Sequence, residues 1–162
     1  MSNDALASLS LAEVEEVSGE LHRRIGVALR TIGEQHADDR GTHETSPRQV
    51  IAALAASIEL AAATLGAIAA AVVPTEGRSD RHPTTIAAVM YAAPSLGALL
   101  ARLEQDRRLL ASFARSLESR LDESHATAWG SVTMRELVGE VAVVASAACA
   151  QDLKARAAVA TI

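Results

Sequence analysis

Four leucines stand seven residues apart in the second half of the chain, at Leu96, Leu103, Leu110 and Leu117, with Leu100, Ala114 and Leu121 between them. Seven residues are about two turns of helix, so this spacing puts the leucines on one face of a long helix and calls for other helices to cover it. A strand cannot satisfy it, because strand side chains alternate with a period of two. The same reading applies upstream. Val14, Val17, Leu21, Ile25, Ala28 and Ile32 recur every three or four positions, which predicts a helix from Ser10 to Asp38, opened by a capping box of Ser10 and Glu13. Ser46, Pro47 and Gln49 open a second helix that runs to Val73 and is stopped by Pro74. A short helix in "TTIAAVMYAAP" is stopped or kinked at Pro94, and Thr133 with Glu136 caps a fourth long helix whose end frays beyond Lys154.

The expected fold is therefore all-α: a four-helix antiparallel bundle, with a short fifth helix, forming a single domain over residues 1–162 with short flexible ends. No segment alternates cleanly, so no sheet is expected. Composition narrows the packing. Phe113, Tyr91 and Trp129 are the aromatic residues in 162, so the core must be built from Ala, Leu, Val and Ile, which suits closely spaced helices.

"VIAALAASIELAAATLGAIAAAVV" in the second helix is long enough to cross a bilayer and holds a single charge, Glu59. Alanine supplies most of its length and Glu59 opposes insertion, so it reads as a core helix, and no membrane partner is expected. Acidic residues outnumber basic ones, 20 to 15, with no basic cluster, so no nucleic-acid partner is expected either. The lone Cys149 excludes an internal disulfide and reads as a small buried hydrophobe. With no basic, apolar leader at the N-terminus, the cytoplasm is the expected compartment.

The first helix carries a second pattern. Ala12, Gly19, Gly26 and Gly33 form a seven-residue ladder that lies roughly 110 to 170° around the helix from its bulky stripe. Three glycines in a helix cost about 1 kcal/mol each against alanine, so the ladder predicts a close contact with another helix, and a homodimer interface is the expected use. The second helix repeats the arrangement: Val50, Leu54, Ile58, Leu65, Ile68 and Val72 on one face, and Ala52, Ala55, Glu59, Ala63, Gly66 and Ala70 on the other.

Chemistry is sparse. Arg107 falls within the leucine repeat, where its guanidinium either reaches out to solvent or pairs with Glu104 or an acid on another helix, or else holds the carboxylate or phosphate of a small anion, with Glu59 and Glu140 as internal partners. No His-Glu-x-x-His and no facing Glu-x-x-His pairs occur, so no metal or cofactor is expected. "RLDESH", Arg120 to His125, resembles the Arg-x(4 to 6)-His signature of HEPN-type ribonucleases, although Leu121 stands where a polar residue usually follows the arginine. That resemblance implies RNA cleavage at a site composed from two protomers, with Arg120 and His125 as catalytic residues. The reading that needs no assembled catalytic site is a non-catalytic bundle acting through association, as a homodimer or with another helical protein.

Overall fold

The computed structural model describes residues 9–160. Four long helical segments and one short helix form the bundle: α1 (Leu11–Ile32), α2 (Pro47–Ala69), α3 (Pro83–Ala92), α4 (Leu96–Ser116), and α5 (Met134–Gly139) continuing through a π-helical segment (Glu140–Ala145) into α6 (Ser146–Ala160). The three predicted capping boxes, at Ser10, Ser46 and Thr133, are all formed. Each joins a side-chain oxygen and a glutamate or glutamine three residues on to amides that the first turn leaves without partners.

α2 is the axis of the fold. It packs most extensively on α4, and also meets α3, α5 and α6, while α1 lies mainly against α6 and α4. Both of its faces are used. Leu54, Ile58, Leu65 and Ile68 are buried on the bulky side, and Ala52 and Ala55 are fully buried among the small residues. On that small side Gly66 admits Phe113 of α4, whose Cζ would lie 3.3 Å from a Cβ at residue 66. An apolar helix enclosed this way needs no bilayer, and 61% of its most hydropathic window is buried within the protein.

Several boundaries differ from expectation, each for a local reason. α1 stops at Ile32 rather than Asp38, because Gly33 turns to φ +74° and caps it. α2 ends before Pro74 is reached. The amide of Val72 donates to the Ala67 carbonyl and that of Ala71 to the Ile68 carbonyl, closing a Schellman turn with Ala71 at φ +55°. At the other end of the chain, α6 continues to Ala160. Arg156 holds its last turns by donating to the Thr45 carbonyl and to Asp152, and Ala157 is buried.

The expectation of no sheet is corrected by a small antiparallel hairpin, Ser124–Thr127 with Gly130–Thr133, in the connection predicted as a loop. Strands of four residues are too short to display alternation in the sequence. Here the turn is set by Gly130 at φ +89° and by Thr127, whose hydroxyl donates to the Gly130 carbonyl and accepts from the Trp129 amide. The π-helical segment was also invisible in the sequence. Val141, Ala142 and Val143 are buried within it, and Ser146 donates its hydroxyl to the Val141 carbonyl.

Candidate functional site

On α4 the buried positions are Leu96, Leu99, Leu103, Asp106, Leu110 and Ala114, continued by Leu117 and Leu121. The polar residue inside the leucine seam is thus Asp106, not Arg107. A straight helix drifts about 20° per heptad, so the face that starts at Leu96 picks up Leu99 and Asp106 as it turns against α2. Asp106 is 8% exposed, and its Oδ2 is buried without a hydrogen-bond donor. Across the seam stands Glu59 of α2, bound by the guanidinium of Arg102, which is itself 3.9 Å from the Asp106 carboxylate. Burial, reinforced by the negative Glu59, raises the Asp106 carboxyl to about 7, against the opposing pull of Arg102. Among the described residues, no cluster of three or more His, Cys, Asp or Glu side chains has the arrangement of a metal site.

Arg107 sits at the rim of the α1–α4 contact. It grips Glu104 through Nε at 2.8 Å and Nη2 at 2.9 Å, as the pairing alternative anticipated. Glu104 also receives Arg108 and faces His22 at 3.7 Å. The hydrogen bond from Arg107, helped by Arg108, overrides burial and holds the Glu104 carboxyl at about 2. Partial burial holds His22 below the ordinary imidazole value despite Glu104. The guanidinium of Arg107 is therefore occupied from within its own helix. Arg107 and Glu59 belong to separate ion pairs, and Glu140 is exposed on the π-helical segment, so the three do not form one anion site.

The ladder on α1 also finds its neighbours inside the chain. Gly26 is buried under Leu100 of α4, whose Cδ2 would stand 3.2 Å from a Cβ at that position. The close approach foreseen for Gly26 is real, but it joins α1 to α4 of the same chain. Gly19 lies beneath the Arg107 guanidinium, Gly33 is a cap, and Ala12 is exposed. These four residues do not form one continuous surface for a partner.

Arg120 and His125 come together around Glu123. Arg120 donates to it through Nε and Nη2, at 2.8 to 3.1 Å, and His125 Nε2 lies 3.6 Å away. The glutamate neutralises the arginine that the ribonuclease resemblance requires for substrate. Arg78 clamps the buried Asp80 through two bonds, Nε to Oδ1 at 2.8 Å and Nη2 to Oδ2 at 2.7 Å, and Ser57 of α2 donates to Oδ2 at 2.6 Å. Burial pushes Asp80 up, but these donors outweigh it and hold the carboxyl below its ordinary value. The same guanidinium stacks 4.5 Å above the Trp129 ring, tying the hairpin to α2. Cys149 is buried, and its thiol is pushed up to about 12, so it stays uncharged and unreactive.

The most conspicuous surface is apolar. α3 has no charged residue, and among its ten only Val89 is buried; Tyr91 is 91% exposed. Beside it runs a groove of 760 Å³ whose walls include Val50 and Leu54 of α2, Ile86 and Met90 of α3, and Ala145 and Ala148, with Gln49 and Asp152 among its few polar side chains. The sequence placed a short helix here. Nothing in the sequence said which of its sides is left uncovered.

No protein-family model matches the chain, and no curated protein matches it in sequence. Its fold is similar to that of a protein from Streptococcus pneumoniae whose crystal structure was solved by the Northeast Structural Genomics Consortium. The TM-score is 0.72 at 16% identity, over 91% of this chain and 90% of that one. At that identity the likeness establishes a shared helical fold.

Proposed function

We propose that this protein is a non-catalytic association module of the cytoplasm that pairs with a second copy of itself through α3 and the groove beside it. The observation that carries the reading is α3: a charge-free helix with most of its surface uncovered. A helix apolar on all sides is ordinarily enclosed, and a contiguous apolar patch of this kind marks an interaction surface. A second copy suits it because the helix is itself one wall of the groove. The outer side of α3 from one protomer can enter the groove of the other, and the reverse contact follows from the two-fold axis, so one patch serves both partners. Tyr91 and Ala88, exposed and outside the groove walls, supply the ridge, and Tyr91 brings a large apolar area with few rotamers to freeze.

Sedimentation equilibrium on the wild type, Tyr91→Glu and Ala87→Glu tests the proposal. The wild type is expected to sediment as a dimer and both variants as folded monomers, since exposed substitutions change monomer stability by no more than about 0.5 kcal/mol. A wild type that stays monomeric at its highest soluble concentration overturns self-association. A dimer indifferent to both substitutions moves the interface away from α3.

A further inference from the structure

We infer that Asp106 is held as a neutral acid that donates a hydrogen bond to Glu59, which makes the α2–α4 seam a joint whose strength depends on a proton. Geometry carries the argument. Asp106 is 92% buried in the largest helix contact of the fold, and one of its oxygens meets no donor. The ionisable groups that face it are Glu59 from α2 and Arg102 from α4. The guanidinium of Arg102 is bonded to Glu59 and reaches no closer than 3.9 Å to Asp106. With both carboxylates ionised, the trio carries a net negative charge beside the buried Asp106, although Glu59 and Arg102 are only half-buried, and an Asp106 oxygen remains without a partner. A single proton on Asp106 removes both faults: it cancels the excess charge and turns the unpartnered oxygen into a donor, with Glu59 as acceptor.

The upward displacement of the Asp106 carboxyl, to about 7, agrees with this arrangement. Its sign sets the behaviour. Below the ordinary aspartate value, 3.8, the residue is protonated folded or unfolded and contributes no pH dependence. Between there and about 7 the folded chain keeps a proton that the unfolded chain releases, so stability falls as pH rises; above about 7 both forms are ionised and the loss is complete. His22, whose imidazole is held low by burial, works in the opposite direction over part of this range. The comparison must therefore be made against a variant that retains His22.

The test combines a carboxyl-carbon NMR titration with denaturation of wild type, Asp106→Asn and Glu59→Gln at several pH values between about 5 and 8. In the wild type the Asp106 carboxyl is expected to titrate near neutrality. The wild-type folding constant should fall relative to Asp106→Asn by up to about tenfold per pH unit over the window where the folded chain retains the proton. Glu59→Gln removes the like charge, so the Asp106 titration should move down toward its ordinary value and the stability window should move with it. An Asp106 carboxyl that titrates near 4 in the folded wild type, or parallel pH profiles for wild type and Asp106→Asn, overturns the inference.

Discussion

Two aspartates are buried against α2, and their carboxyls are displaced in opposite directions. Asp80 is 1% exposed and Asp106 8%, so burial alone would push both toward the neutral acid. Asp80 receives three hydrogen bonds, two from Arg78 and one from Ser57, and its carboxyl lies below the ordinary value. Asp106 faces another carboxylate and a guanidinium already engaged elsewhere, and its carboxyl lies well above. The difference teaches that the count of donors, more than depth, decides whether a buried acid is a charge or a hydrogen-bond donor. One aspartate is a rivet joining the α2–α3 connection and the hairpin to α2; the other is a proton-dependent contact between the two main helices.

Replacing each by asparagine should produce the largest contrast. Asp80→Asn turns an acceptor of three hydrogen bonds into a group with an amide facing Arg78, and leaves that guanidinium unpaired. A loss of about 3 kcal/mol in urea denaturation at neutral pH is expected. Asp106→Asn should be neutral or stabilising at the same pH. Equal losses at the two sites would break the comparison. A smaller effect is expected from Ser57→Ala, which deletes one of the three donors to Asp80. It should cost about 1 kcal/mol, and the Asp80 carboxyl should move upward. Because that carboxyl is held low, its contribution is present above the ordinary aspartate value and is lost as pH falls through the folded value. The Ser57→Ala penalty should therefore shrink in acid. The smallest effect is a control at the end of the same helix. Ala71 closes the α2 cap in a left-handed conformation that costs a residue with a Cβ roughly 1 kcal/mol, so Ala71→Gly should raise stability by up to about that amount. The gain should be identical at every pH, since no charge is touched; a pH-dependent gain would mean that the end of α2 is coupled to one of the aspartates.

Much of the architecture was legible because it is written in local signals. The capping boxes at Ser10, Ser46 and Thr133 and the stop at Pro94 depend on residues within a turn of one another, and each appears in the structure. The buried faces of α1 and α4 followed from helical period, with exceptions that period cannot resolve. Val17 was placed on the α1 stripe and is 37% exposed, while Ser18 beside it is buried. On α4 a one-residue rotation moved the buried polar position from Arg107 to Asp106, and with it the most unusual chemistry in the protein. Glu59 was noticed as a lone charge in an apolar run, but its meaning depends on Arg102 and Asp106, 43 and 47 positions further along the chain.

The sequence by itself determined that this chain is helical, where most of its helices begin, and that its core is built from small aliphatic residues, because capping, proline placement and apolar period act over a few residues. The tertiary structure alone decided the neighbours. It put Leu100 over Gly26, so that a ladder suited to a partner chain closed a contact within this one. It brought Arg78 to Asp80 and Trp129, left α3 without a cover, and set Asp106 opposite Glu59. Those outcomes rest on how one helix rotates against another by a fraction of a turn, and that angle is set by the packing of residues distant in sequence.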